Sequence, residues 1–340
     1  MMFGSLILVA VVSFIVTIIS TMQMRPILEA SGMLGIDQQK ATKPRLATSG
    51  GICVLGGFVA GVMAWVALNT FYLKTGFNMT LVFASVVSVL LGALIGILDD
   101  LHIRKELIKT ESDNRDYRVG IKQWKKVALS FAIAVPLMAV SAGQTTMHLP
   151  FIGPINLGIL FPLLVVPIAV VCVTNSYNML AGMNGMEAGL GIVSNLALAI
   201  FSFLYGNEEA SIISAAIAFS LLAFLKWNWY PAKILPGDSL TYMVGAAFVS
   251  AVIIGNVEKF GVIIFLPWII EAFLKMRGGF KVSSLGILQN DNTLKSKYNK
   301  VYSLTHFVMS RWKFKEYQIT ATIIGFEILV CIFAFIFIAP

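Results

Sequence analysis

The chain has 340 residues; 58% are apolar and only 12% are charged, against roughly 25% charged in a soluble domain. With a mean hydropathy of +0.84 and a net charge of +8, this composition excludes a soluble globular protein and makes a lipid bilayer the first partner. Three cysteines, Cys53, Cys172 and Cys331, fall inside apolar runs, so there is no disulfide framework or CxxC metal pattern, and neither a Walker loop nor a GxGxxG after a strand is present.

Ten apolar runs approach membrane-spanning length: 2–22, 50–72, 79–98, 127–143, 155–173, 188–206, 210–225, 239–257, 260–274 and 319–339. The first has no basic residues ahead of it and no small-residue cleavage site, so it reads as an anchor rather than a signal peptide. The ninth is short and carries Glu271. If all ten cross, 23 of the 25 Lys and Arg residues fall on one side, and only Lys74 and Lys259 on the other. The positive-inside rule makes the basic side cytoplasmic and puts both termini outside. The expectation is an all-α integral membrane protein in the cell membrane, one polytopic domain over 1–340, with its polar chemistry on the cytoplasmic face. The positive charge is topology and implies no nucleic-acid partner.

The cytoplasmic loops follow in order. The first holds Gly35-Ile36-Asp37-Gln38-Gln39-Lys40 and then Pro44-Arg45-Leu46-Ala47-Thr48-Ser49-Gly50-Gly51. It is either an ordinary basic loop or a polar hairpin over a nucleotide, with Lys40 near phosphate. The third run ends in Asp99-Asp100. Two acids at a helix C-terminus oppose the helix dipole and repel each other unless a cation lies between them. The second loop is rich in both charge signs, its 104–118 part reading as a solvated hairpin, and ends in Lys125-Lys126. These are snorkelling anchors, or one of them faces Asp99 and Asp100.

The third loop, 175–190, reads N-S-Y-N-M-L-A-G-M-N-G-M-E-A-G-L and has no Lys or Arg. Amides and a carboxylate at a membrane boundary are costly unless they hold something, and the glycines let backbone approach a ligand. The fourth loop carries Trp227-Asn228-Trp229-Tyr230-Pro231 and then Leu235-Pro236-Gly237-Asp238, where Asp238 suits an N-cap. The fifth, 275–318, sets Lys275, Arg277 and Lys281 around Gly278-Gly279, which suits a pyrophosphate clamp or plain positive-inside charge. Its second half, 291–317, interleaves Trp312, Phe314 and Tyr317 with Arg311, Lys313 and Lys315, the pattern of a membrane-surface segment.

The acid pair, the Asn-rich loop Asn175-x-x-Asn178-x-x-Ala181-Gly182-Met183-Asn184-Gly185-Met186-Glu187-Ala188-Gly189, and Asn228-Trp229-Tyr230-Pro231 followed by Gly237-Asp238 together resemble the polyprenyl-phosphate N-acetylhexosamine-1-phosphate transferases. The form with Ala181, where many bacterial members have Asp, is similar to the archaeal and eukaryotic dolichyl-phosphate GlcNAc-1-phosphate transferases. Gly35-x-Asp37-x-x-Lys40 matches less specifically. The resemblance implies transfer of an N-acetylhexosamine-1-phosphate, GlcNAc by default, from a UDP-sugar to dolichyl or polyprenyl phosphate, with Mg²⁺ or, as an alternative, Mn²⁺. The products are dolichyl-diphospho-sugar and UMP, in the first membrane step of protein N-glycosylation.

By position, the resemblance implies that Asn178 and Asp238 hold the metal. Asp99 and Asp100 are its motif acids, and Lys126, with Lys125 as the fallback, contacts the phosphates. Asn184 reads the uracil, Gly185 belongs to the same loop with Asn175, Glu187 braces it, and Leu235 packs against the base where relatives have an aromatic. Lys40, Arg277 and Lys281 complete the expected donor contacts. Many relatives are dimers, so a homodimer is an open expectation. Two other readings stay on the table: a lipid-linked sugar transporter or flippase, and a phospho-MurNAc-peptide-type transferase. The second is disfavoured by Ala181 and by the missing bacterial histidine motif.

Overall fold

The computed structural model describes residues 2–101, 104–110, 113–119, 121–149 and 153–338. In chain order these are α1 (Met2–Ala30), the hairpin β1 (Leu34–Ile36) and β2 (Arg45–Ala47), α2 (Gly51–Leu68), α3 (Met79–Leu101), the hairpin β3 (Arg104–Thr110) and β4 (Asp113–Val119), and α4 (Gln123–Ala139). There follow β5 (Thr146–Leu149) and β6 (Gly153–Asn156), α5 (Val166–Met179), α6 (Met186–Leu204), α7 (Glu208–Asn228), α8 (Gly237–Gly255), α9 (Glu258–Ile264) and α10 (Leu266–Arg277). The last elements are β7 (Gly286–Leu288), β8 (Leu294–Ser296), α11 (Leu304–Arg311) and α12 (Glu316–Phe337). Five-residue π-helical turns extend α2 through Leu73 and precede α5 from Phe161.

Among the described residues, eight helices are long and apolar enough to cross a membrane: α1, α2 with its extension, α3, α5 with its lead-in, α6, α7, α8 and α12. The chain is a multi-pass membrane protein. Two predicted runs come out differently. The fourth forms α4, 17 residues long. The ninth is divided at Phe265 between α9 and α10, because Pro267 has no N–H to continue the helical ladder and sits instead in the first turn of α10. The all-α expectation is also corrected in detail. Among the described residues, four two-stranded antiparallel hairpins occupy the loops, where backbone groups outside any helix pair with each other instead. The hairpin expected over 104–118 is present as β3–β4, while residues 102–103, 111–112 and 120 lie outside the described residues.

Helix α8 is the centre of the bundle. Every residue from Ser239 to Gly255 is buried, as befits a helix apolar on all sides, and α2, α3, α5, α6 and α7 pack around it. At the periphery the pattern inverts. Helix α1 turns Ser5, Ser13, Thr17 and Thr21 inward and leaves Phe3, Ile7, Val11, Ile15 and Ile19 exposed, one every four residues. Its small hydroxyls lie where a Cβ on Gly57 or Gly61 of α2 would go, the close small-residue packing used between helices in lipid.

The contact that positions the site is α3 on α8. A Cβ on Gly96 would fall on the backbone of Asp238 and Ser239. The absence of that atom lets the end of α3, carrying Asp99 and Asp100, rest on the beginning of α8, carrying Asp238.

Candidate active site

All five loops that the sequence places on the basic side meet at one cavity of about 690 Å³. Its wall includes Asp37 from the first loop, Lys126 from the second, Asn178 from the third, Asp238 from the fourth and Lys275 from the fifth.

Asp100 does not point freely into this space. Its Oδ1 accepts the Asp238 N–H at 2.8 Å, and its Oδ2 accepts the Ser239 N–H at 3.3 Å and the Ser49 hydroxyl at 2.7 Å. It therefore caps α8 from another helix, with its charge at the positive end of the α8 dipole. Gly237 has φ +70°, and a Cβ there would fall on Asp100 Oδ2. That glycine is what lets the carboxylate reach the helix end.

Asp99 and Asp238 share a cation. Lys126 Nζ pairs with Asp99 Oδ2 and, at 2.8 Å, with Asp238 Oδ2; the cation expected between the adjacent acids thus lies between Asp99 and Asp238, while Asp100 is met by Ser49 and the α8 N–H groups. Asp99 Oδ1 accepts the Ile121 N–H at 2.6 Å, which holds the approach to α4 against α3. Burial opposes the charge on Lys126, one residue ahead of the fourth apolar run, but the carboxylates of Asp238 and Asp99 outweigh it and raise its pKa. Lys125 is exposed and lies 5.6 Å from the Trp124 ring centroid. Of the two lysines, the structure turns Lys126 inward and Lys125 outward.

The start of the third loop, at the end of α5, also reaches Asp238. Asn178 Nδ2 donates to Asp238 Oδ2 at 3.1 Å, which puts the two expected metal ligands side by side. Among the described residues there is no ready-made group of three or more His, Cys, Asp or Glu for a metal. The donors present are hard oxygens, the carboxylates of Asp99 and Asp238 and the amide oxygen of Asn178, and these fit a magnesium ion that completes its shell with water and substrate phosphate. Asn175 is occupied: Nδ2 donates to Ser130 Oγ (2.9 Å) and the Val171 carbonyl (2.8 Å), and Oδ1 accepts the Tyr242 hydroxyl at 3.2 Å.

Further along the same loop, Glu187 Oε1 accepts the Gly182 N–H at 2.8 Å, while Oε2 is buried without a partner. Gly185 has φ +77°, and a Cβ there would strike the Trp229 ring. Asn184 lines the cavity, yet its Nδ2 donates to Asp37 Oδ2 at 3.2 Å and its Oδ1 accepts the Ala232 N–H at 3.0 Å. One amide hydrogen is left over. Leu235 lines the cavity and packs against Gly35, and its N–H donates to the Ala47 carbonyl at 2.8 Å.

Three expected contacts lie elsewhere. Lys40 is outside the cavity lining and pairs with Asp37 and Glu316. Arg277 and Lys281 are exposed and also outside it. The base the fifth loop does supply is Lys275, whose Nζ donates to Ser284 Oγ at 2.6 Å and the Val282 carbonyl at 2.7 Å, with Glu271 at 3.7 Å. Burial pushes its pKa below the ordinary lysine value, only partly countered by Glu271. Tyr242 lines the cavity, and Ser49, Gln39 and Glu316 stand behind it, bonded to Asp100, the Gly182 carbonyl and the Asn184 N–H; these four are not among the residues expected from the sequence. Only Glu316 left a signal, as the one acid in a basic stretch just ahead of an apolar run.

A second, apolar groove of about 570 Å³ runs between α4 and α5, lined by Val127, Phe131, Leu164, Ile168 and Cys172 among others. Val127 belongs to both spaces, so the groove opens beside Lys126.

The fold and the site define a multi-pass membrane protein with an acid- and amide-lined cavity at one end. Residues 80–256 match the model of glycosyl transferase family 4. The chain is 35% identical to a provisionally named UDP-N-acetylglucosamine–dolichyl-phosphate N-acetylglucosaminephosphotransferase of Sulfolobus acidocaldarius, over 98% of this chain and 96% of that one. It is 24% identical to the Dictyostelium discoideum protein of that name, over 71% and 64% of the two chains. It is 26% identical to a phospho-N-acetylmuramoyl-pentapeptide-transferase of Clostridium botulinum, over 73% and 72%. The chain belongs to glycosyl transferase family 4.

Proposed function

We propose that the protein transfers N-acetylglucosamine 1-phosphate from UDP-GlcNAc to dolichyl or another polyprenyl phosphate, giving the lipid diphospho-sugar and UMP. The observation that carries this is the Lys126–Asp99–Asp238–Asn178 cluster at the mouth of the apolar groove: a phosphate-reading site that adjoins a slot for a lipid tail. The names of the two long-range relatives supply the donor and acceptor. Ten spans, counting α4 and the broken α9–α10 pair, with both termini outside and the cavity on the cytoplasmic face, agree with the charge distribution.

The acceptor enters tail-first along the α4–α5 groove, which leaves its phosphate next to Lys126. Its oxygen attacks the β-phosphorus of the donor. The bond from that phosphorus to the oxygen bridging to the α-phosphate breaks, and UMP leaves with that oxygen. A lipid phosphate is already largely ionised at neutral pH, so no side chain must remove a proton. Catalysis is positioning and charge neutralisation. Lys126 meets the phosphates, Asp99 and Asp238 hold Lys126, and Asp100 fixes Asp238 by capping α8. Asn178 and Asp238 would hold Mg²⁺, or Mn²⁺ in its place, which when bound would neutralise pyrophosphate charge. Leu235 and the remaining Asn184 hydrogen face the base, and Lys275 the sugar-phosphate end.

The test is donor carrying ³²P at the β-position. Label recovered in the lipid product shows the sugar-phosphate moving as a unit. Label left on a released nucleoside diphosphate would mean transfer of sugar alone and would overturn the reading.

A further inference from the structure

We propose that the buried Lys40–Glu316 ion pair is a positioning device for the nucleotide end of the cavity, an inference that rests on the UDP-sugar reading above. Neither residue lines the cavity. Each is fixed on the far side of residues that do.

The contacts form a closed ring. Glu316, the first residue of α12, has a side chain 3% exposed; its Oε2 pairs with Lys40 Nζ and its Oε1 accepts the Asn184 N–H at 2.7 Å. Lys40 Nζ also pairs with Asp37 Oδ2 at 3.0 Å. The same Asp37 oxygen accepts Asn184 Nδ2 at 3.2 Å. Two further ties close around it. The Thr320 hydroxyl donates to the Asn184 carbonyl at 3.3 Å, and Lys40 lies 4.6 Å from the Tyr230 ring centroid. One cation thus couples the 37–40 turn, the Asn-rich loop, the turn after α7 and the foot of α12.

Asp37 and Asn184 are adjacent members of the ring, joined at 3.2 Å, and both line the cavity, so the ring fixes where that part of the cavity wall stands. Lys40→Met leaves the Asp37 and Glu316 carboxylates without their shared cation, and Glu316→Gln removes the charge that ties Lys40 to α12; either change loosens the backing of Asn184. The device is built to hold the donor, not to take part in the chemistry. Its loss should therefore show in donor KM and leave the acceptor untouched.

The experiment is steady-state kinetics on purified Glu316→Gln, Lys40→Met, Lys40→Arg and the Lys40→Met/Glu316→Gln double variant, with UMP binding measured in parallel. Glu316→Gln keeps an oxygen for the Asn184 N–H and removes only the charge facing Lys40. The expected result is a donor KM and a UMP Kd raised about tenfold or more in Glu316→Gln and Lys40→Met. The kcat and acceptor KM should stay within about threefold, Lys40→Arg should lie near wild type, and the double variant should be no worse than Lys40→Met alone, because it also removes the Glu316 charge that Lys40→Met leaves unpaired. An unchanged donor KM, or donor and acceptor constants rising together with a fall in melting temperature, overturns the positioning role. So does loss of folding in both single variants, which would show a fold-wide role. Wild-type protein that ignores UDP-sugars but stays folded overturns the functional reading itself, an outcome distinct from the others.

Discussion

Asp100 and Asp238 are neighbours with opposite tasks. Asp100 spends both oxygens on the α8 N-terminus and Ser49, whereas Asp238 is held by side chains that a substrate could displace, Lys126 and Asn178. Asp238→Asn should abolish turnover, by more than about a thousandfold, with little change in melting temperature. Asp100→Asn should lose turnover and also about 1–3 kcal/mol of stability, since an amide is a poorer acceptor for buried N–H groups. Thermal unfolding in detergent beside an activity assay separates the two; equal melting curves for both variants would contradict the assignment. His306 offers a pH test away from the reaction. Burial first, and then the Lys275 charge, push it down to about 4 from an ordinary value near 6.5. The unfolded chain therefore binds the proton first as pH falls, so the stability associated with neutral His306 is complete above about 6.5 and is lost progressively down to about 4. The His306→Gln variant should show a flatter melting temperature across that window than the wild type; parallel curves would remove His306 as the cause. At this scale the sequence was legible where chemistry demanded a residue type, as with Asp99, Asp238 and Asn178. It could not say which of two adjacent bases turns inward. Lys125 and Lys126 differ by about 100° around α4, and Lys275 and Arg277 by about 200° around α10, so the inward choice depends on helix rotation that packing sets.

Among the elements, α3 and α8 carry the site, and Gly96 is their hinge of contact. Gly96→Leu would drive the helix ends apart, and overpacking of this kind costs about 1–3 kcal/mol. Activity should fall further than stability does, because Asp100 would lose its hold on Asp238; a folded, fully active Gly96→Leu protein would contradict this geometry. The α4–α5 groove gives the complementary prediction. Ile168 is 54% exposed on its wall, so Ile168→Trp can fill the groove without disturbing the core. It should raise the KM for polyprenyl phosphate about tenfold and leave the UDP-sugar KM alone. A change in donor KM instead would place the lipid elsewhere. Helix positions were largely legible because long apolar runs leave few alternatives in lipid. The break at Phe265 was visible only as a short run with Glu271, and that acid is explained by its partners. Glu271 Oε2 accepts the Leu304 N–H at 2.7 Å and the Ser303 hydroxyl at 3.1 Å, tying α10 to α11. The 104–118 hairpin was legible from its charged, loop-like sequence, whereas β1–β2 and β7–β8 were hard to read because strands of three residues carry no period.

For the whole molecule, the five loops assigned to one side by Lys and Arg counts do converge on one cavity, an arrangement that random placement of ten runs would not give. Convergence also speaks to the alternatives. A flippase needs polar groups continuing across the spans, whereas α8, at the centre, is buried from Ser239 to Gly255 and mostly apolar, with Asn195 of α6 and Glu327 of α12 as buried polar exceptions elsewhere. Composition made the membrane evident, but the Lys40–Glu316 ring was beyond reach, since its members are 276 residues apart. The most direct measurement is UMP release by purified protein given UDP-GlcNAc and dolichyl phosphate, with Mg²⁺ and with EDTA. The account predicts release that requires both the lipid and the metal, and none when either is withheld. UMP release without lipid, or none from folded protein across a panel of UDP-sugars and polyprenyl phosphates, would contradict it.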